Sequence, residues 1–266
     1  MSAADRAARL VSGAGALLVC AGAGMGVDSG LPDFRGHAGF WRAYPPYERL
    51  GLGFEEIADP VHFARDPEFA WGFYGHRLAL YRATAPHAGF EVLRRLGARA
   101  FTSNVDGQFQ LAGFAGVAEV HGSIHHLQCQ APCSDDVWSA DGVEVEVDPG
   151  TMRAVSPLPT CPRCGGVARP NILMFGDSSW VGHRTRAQLA DLAAWRRSAG
   201  SGLVVLELGA GTAVPTVRRY AELSSAATGA LVRVNPREAD VRHGRGIAVP
   251  ETALEFLNRL ADATSG

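Results

Sequence analysis

The sequence has no long apolar run, and none approaches the ~20 residues that a membrane-spanning helix needs. It has no excess of either charge: the formal net charge is -2 over 266 residues, which gives no bulk attraction toward nucleic acid or an anionic membrane, and direct nucleic-acid binding is not expected. The opening "MSAADRAARL" mixes acid and base and lacks the apolar centre of a secretory signal. Disulfide scaffolding is also excluded, because five cysteines are an odd number and the chain reads as cytoplasmic. No internal repeat or low-complexity tract is visible. What remains is an ordinary globular composition, 47% hydrophobic and 20% charged, long enough for one large domain or one domain with a small insert.

Four short runs, Ala16–Cys20, Ala98–Thr102, Leu203–Leu208 and Ala230–Val234, are apolar on both faces and end in glycine, asparagine or a polar loop. Helical patterns lie at Pro86–Leu96, Arg184–Ser198, Pro215–Ser224 and Glu251–Asp262. This alternation predicts an α/β fold with a doubly wound parallel sheet, whose ligands bind at the carboxyl ends of the strands. Residues 39–83 hold most of the aromatics and are expected to form a helical segment over the first strand end. The stretch 128–169 is rich in Cys, Pro and Asp and is expected to be a small inserted module. Residues 1–38, 84–127 and 170–266 then make up the sheet domain.

The strand ends carry the chemistry. "LLVCAGAGMGVDSGLPDFRG" follows an apolar run with Gly22, Gly24 and Gly26, not spaced as the usual dinucleotide fingerprint. Such glycines serve either a phosphate or a tight strand–helix turn. Asp33, Phe34 and Arg35 follow, readable as cofactor contacts or as an ion pair flanking a core phenylalanine. Ser103, Asn104 and Asp106 sit just past the second strand, placed to line a crevice or to cap the next helix. His121, in "EVHGSIHHLQC", is a candidate general base, and His125 and His126 behind it are candidate metal ligands. Cys129 and Cys133 form C-x3-C, and Cys161 and Cys164 form C-x2-C; together they offer four thiolates to one tetrahedral zinc ion. A filled sphere makes that metal structural, and a small polar module gains folding energy from it.

The order of these pieces resembles the sirtuin family of NAD-dependent protein deacylases. The motifs are the G-A-G loop with S-G-L-P-D-F-R-G, T-S-N-V-D, E-V-H-G-S, paired cysteines and R-P-N-I-L-M-F-G-D, spanning about Ala14 to Leu260. The resemblance implies a Rossmann-like sheet, NAD as cofactor, one structural zinc per chain, and acylated-lysine proteins or peptides as substrates. It places Gly22, Ala23 and Gly24 at the NAD phosphates, and Asp33, Phe34, Arg35 and Trp41 in the cofactor loop. It places Ser103, Asn104, Val105 and Asp106 around nicotinamide, and makes His121 the base acting on a ribose hydroxyl. Gly209, Ala210, Gly211, Asn235 and Ala248 would contact the adenosine side. The segment Asn171–Met174, with Ile172, Leu173 and the following Phe175, would pair with the substrate peptide. Tyr74-x-x-Arg77 and "GHAGFW" resemble the subgroup that removes succinyl and malonyl groups; a guanidinium can clamp a carboxylate there, with a phenol adding one bond. Gly26, Ser103 and Asp177 stand where the family has serine, glutamine and glutamate. The alternative is an NAD glycohydrolase or mono-ADP-ribosyltransferase on the same fold, and a third reading is a non-catalytic NAD-binding module.

Overall fold

Apolar runs become strands where both faces of a sheet are covered, and the central strands here are covered on both. The structure is a computed structural model that describes residues 1–32, 36–155, 157–242 and 245–264, with the backbone alone for 36–39. Its strands are β1 (Ala16–Ala21), β2 (Arg99–Thr102), β3 (Val117–Glu119), β4 (Gly122–Cys129), β5 (Val137–Ser139), β6 (Val147–Asp148), β7 (Arg153–Ala154), β8 (Ala168–Ile172), β9 (Leu203–Leu208), β10 (Leu231–Val234) and β11 (Ile247–Val249). Six of them form one parallel sheet in the order β11-β10-β9-β1-β2-β3.

Side chains alternate across this sheet with the period of two that a strand imposes. Leu17, Val19 and Ala21 of β1 join Val204, Leu206 and Leu208 of β9 in one core. The helices Ala3–Ser12, Ala88–Arg95 and Ala253–Thr264 close it with Val11, Leu93 and Phe256. Leu18, Cys20, Leu203 and Val205 face the other way, under the helices His183–Ala199 and Thr216–Ser225. The expected doubly wound sheet is present, and each strand and helix anticipated above appears with its ends shifted by at most two residues. The edge strands β3 and β11 have three residues each, too few for an apolar run to announce them.

A second sheet is antiparallel, in the order β5-β4-β8, with an irregularity between Ser123 and Leu127. The expected insert, 128–169, contributes β5 and the β6–β7 pair, while β4 and β8 run across its two limits. Residues 36–83 form five helices: Gly36–Ala43, Pro45–Arg49, Phe54–Ile57, Val61–Arg65 and Pro67–Ala83. The last starts where Asp66 accepts the Phe69 N–H at 3.2 Å and Pro67 occupies the first turn. It is buried around most of its girth, and Trp71 donates its indole N–H to the Ala168 carbonyl at 2.8 Å. Phe40, Tyr44, Tyr47, Phe63, Trp71, Phe73 and Tyr74 pack with Ile124, Leu127 and Ala168 into an aromatic core beside the parallel sheet. Among the described residues no helix is long and apolar enough to cross a membrane.

Candidate active site

The strand order reverses between β1 and β9, and a doubly wound sheet opens its ligand crevice at such a point. Two glycine turns meet there backbone to backbone. The Gly24 N–H donates to the Gly209 carbonyl at 3.0 Å, and a Cβ on Gly24 would lie 2.6 Å from the Gly209 Cα. Gly209 has φ +61, so both turns need glycine for their contact with each other, whatever the ligand. Gly22 donates to the Leu208 carbonyl at 3.0 Å, and Ala23 precedes the short helix Gly24–Val27. On the β10 side, buried Asn235 donates to the Ala210 carbonyl at 2.9 Å and accepts the N–H groups of Arg237 and Glu238. Gly211 lies just beyond, near Glu238. The cleft between these turns is lined by Gly24, Val27, Asp28, Gly209, Pro236, Arg237, Thr252 and Ala253. Ala248 lies inside β11 opposite Arg233 and is not among them. A second cavity, about 470 Å³, lies behind the Asn235 turn against the helix Thr216–Ser225, and Arg237 borders both spaces.

At the end of β2, Thr102 donates its hydroxyl to the Ala21 carbonyl at 2.9 Å and accepts the Asn104 N–H at 3.0 Å. Asn104 then reaches back to donate to the Gly22 carbonyl at 3.0 Å, locking the β2 loop to the β1 loop. Ser103 donates its N–H to the Ala21 carbonyl, and Val105 is buried, its carbonyl accepting the Ile124 N–H. Asp106 caps the turn at Gln108 N at 2.9 Å, and burial pushes its carboxyl up to about 6. The Asp106 carboxylate thus closes the turn into the helix Gln108–Leu111.

His121 sits where β3 passes into β4. Burial lowers its pKa from the ordinary value and a backbone hydrogen bond with Ser103 opposes that, which leaves a neutral imidazole able to take a proton at pH 7. Its own carbonyl accepts the Leu173 N–H at 2.9 Å. Gly122 follows with φ +80, and a Cβ there would lie 2.0 Å from the Asn171 carbonyl oxygen, so glycine alone lets β8 approach this closely. Ile172 ends β8, an edge strand of its sheet among the described residues. Beyond it Leu173 and Phe175 are exposed, and the Phe175 N–H donates to the Ala58 carbonyl. The turn is pinned from beneath by Arg169 and Asp177, a fully buried ion pair at 2.9 Å. Asn171 is spent on structure, donating to Gln128 and to the Val181 carbonyl.

Tyr74 and Arg77 lie on the helix Pro67–Ala83, and the Arg77 guanidinium carbon is 5.6 Å from the centre of the Tyr74 ring. Arg77 donates to the hydroxyl of Tyr81, one turn further on, at 3.0 and 2.7 Å. The Tyr74 hydroxyl is buried with no hydrogen-bond partner among the described residues, and burial pushes its pKa up to about 12. Trp41 donates its indole N–H to the Leu52 carbonyl at 2.8 Å. Asp33, Phe34 and Arg35 lie outside the described residues.

The four cysteine sulfurs lie within 4.8 Å of one another, with Cys129–Cys164 at 3.7 Å and Cys133–Cys161 at 3.6 Å. A tetrahedron with Zn–S bonds of about 2.3 Å has sulfurs about 3.8 Å apart, so the cluster fits a structural zinc ion. Its coordination sphere would be complete with thiolates, and the metal would supply folding energy to the module and no open position for chemistry. His125 is engaged elsewhere, its Nε2 2.9 Å from the Asp106 carbonyl, and neither His125 nor His126 joins the cluster.

The sequence profile of the Sir2 family matches residues 22–205. The chain belongs to the Sir2 family. Among this Sir2 protein's relatives is a Pseudomonas aeruginosa protein named NAD-dependent protein deacylase 1, 30% identical over 257 residues, 94% of this chain and 95% of that one. Another relative, from Archaeoglobus fulgidus and of the same name, is 29% identical over 249 residues, 92% and 91% of the two chains. A crystal structure of a Sir2 homologue–NAD complex superimposes with a TM-score of 0.76 at 24% identity, over 98% of this chain and 93% of that one, a likeness of fold.

In this Sir2 chain, sequence reasoning did not single out Tyr81, although its spacing of four from Arg77 on a helix was a signal. Asp28, Thr252 and Ala253 were also passed over. Asp28 accepts the Leu254 N–H at 2.8 Å and so joins the first loop to the last helix at the cleft. No local motif announces a bond between residues so far apart in the chain.

Proposed function

We propose that this Sir2 protein removes acyl groups from lysine side chains of proteins or peptides at the expense of NAD, yielding nicotinamide and O-acyl-ADP-ribose, with a preference for acyl groups that end in a carboxylate. The observation that carries the reading is one bond: the Leu173 N–H on the His121 carbonyl, which holds the edge for a substrate peptide against the residue suited to be the base. NAD, when bound, supplies an electrophilic ribose carbon with nicotinamide as its leaving group.

The chain's residues then divide the work. His121, held neutral by burial, takes a proton from a ribose hydroxyl. Asn104, fixed by the Gly22 carbonyl, and Asp106, whose raised pKa lets it hold or release a proton near neutrality, orient the nicotinamide end with Ser103 and Val105. Gly22, Ala23, Gly24, Gly209, Ala210, Gly211, Asn235 and Ala248 serve the phosphate and adenosine end, and Asp33, Phe34, Arg35 and Trp41 serve the ribose, from which water must be kept. Ile172, Leu173 and Phe175 pair with the substrate main chain by strand addition. Arg77 and Tyr74 receive the acyl carboxylate; the Tyr74 hydroxyl, partnerless among the described residues and on a ring whose centre is 5.6 Å from the guanidinium carbon, supports this assignment. Residues 128–169 act as a zinc-stapled unit between the segments of the sheet domain. The five reduced cysteines support a place in the cytoplasm.

The test is the rate of NAD-dependent lysine release from acetyl-, malonyl-, succinyl- and long-acyl-lysine peptides. Malonyl and succinyl peptides are expected to be fastest. Nicotinamide accumulating while every peptide stays intact would instead support the glycohydrolase or transferase reading.

A further inference from the structure

An arginine acts as a fork only if its plane is held, because a free side chain gives up rotamer freedom on binding. Arg77 is buried, 5% exposed, and its guanidinium is within 5.1 to 5.8 Å of the ring centres of Phe54, Phe73, Tyr74 and Tyr81. Aromatic faces favour the cation but leave it free to rotate over them. The hydroxyl of Tyr81, itself 6% exposed, sets the rotation by accepting from both Nε and a terminal nitrogen of Arg77 at 3.0 and 2.7 Å. Two bonds from one planar group to one oxygen fix the direction of the plane. Tyr74, Arg77 and Tyr81 follow one another at spacings of three and four, along one face of a single helix.

We propose that Tyr81 is the positioning residue of the acyl pocket: its hydroxyl holds the Arg77 guanidinium in a set plane near the Tyr74 ring, so that an acyl carboxylate meets a preformed fork. The inference rests on the reading of Arg77 as the acyl-carboxylate clamp. Tyr81 has no contact with substrate in this account and acts through Arg77. Its phenol also lies within the electrostatic reach of Asp106.

The experiment is a double-mutant cycle read as the ratio of kcat/KM for a succinyl-lysine peptide over the matching acetyl-lysine peptide, in the parent, Tyr81→Phe, Arg77→Met and the double variant. Tyr81→Phe removes one hydroxyl and keeps the ring. It is expected to lower the ratio about tenfold, through a raised KM for the succinyl peptide and a retained kcat. In the Arg77→Met background the same change is expected to move the ratio by less than about twofold, since there is no fork left to hold. The proposal is overturned if Tyr81→Phe leaves the ratio unchanged while Arg77→Met lowers it. It is also overturned if Tyr81→Phe reduces both peptides equally together with the melting temperature, which is the mark of a purely structural tyrosine. An unchanged ratio in Arg77→Met removes the clamp reading itself, and the inference with it.

Discussion

The parallel sheet and the aromatic core beside it solve the burial problem in different ways. The sheet's main core is built from Ala, Leu and Val with a few phenylalanines, and the ion pair that the sheet buries, Glu207–Arg233 at 2.7 Å between β9 and β10, lies on its other face. The aromatic core is built from Phe, Tyr and Trp, and it buries an arginine, the Tyr74 hydroxyl and the Arg169–Asp177 pair at or near its surface. An aliphatic core serves only stability. An aromatic core supplies area together with polar edges, and so it can be a pocket wall while it is also a core.

The comparison can be broken or sharpened by experiment. The largest effect is expected from the cysteine module, which has no core of its own and lends Ala140, Met152 and Ala154 to the aromatic one. Metal analysis should find about one zinc per chain, and a chelator should unfold 128–169 while β1 and β9 keep their amide protection in hydrogen exchange. Protein free of metal that retains the module's protection would contradict this.

Next in size is Leu93→Ala, a fully buried change in the aliphatic core. It should cost about 2–5 kcal/mol by denaturant unfolding and leave the succinyl-to-acetyl ratio as it was, unlike Tyr81→Phe. A changed ratio would show that the two cores are not separate in function. Gly24→Ala should cost about 1–3 kcal/mol, since its Cβ would collide with the Gly209 backbone, which cannot move as a side-chain tip would. Its NAD affinity should fall with its stability, and normal affinity would sever the turn–turn contact from cofactor binding.

The smallest effect concerns Asp106. Its folded-state pKa, near 6, lies above that of an unfolded aspartate, so the native state binds more protons between about 4 and 6. The stability this gives is therefore complete below about 4 and lost as pH rises through about 6. Asp106→Asn should raise the melting temperature at pH 8 relative to the parent, with the gain shrinking toward pH 4. A gain independent of pH would contradict the buried-acid account.

The two cores also differ in how far they could be read from sequence. β1 and β9 were legible because a two-faced apolar run has few other uses, and the glycines at their ends marked the turns. β3 and β11 were not, since three-residue edge strands take their pairing from neighbours and are too short to carry a run of their own. The helix Pro67–Ala83 was legible as helical, yet its buried faces were not, because a helix covered nearly all round has no amphipathic stripe. His121, Asn104, Asp106 and the cysteines stood out through motif order. The approach of β8 to His121 depends on Gly122, and no spacing in the chain encodes it.

The central claim is that acyl removal and nicotinamide release are one reaction, and the direct measurement is their stoichiometry. The chain contains no lysine, so every lysine amine freed in the assay comes from the peptide. Mass spectrometry of the protein with NAD and a succinyl-lysine peptide should find nicotinamide, free-lysine peptide and O-succinyl-ADP-ribose in equal amounts. Nicotinamide in large excess over freed lysine, with ADP-ribose in place of its acyl ester, would contradict the account.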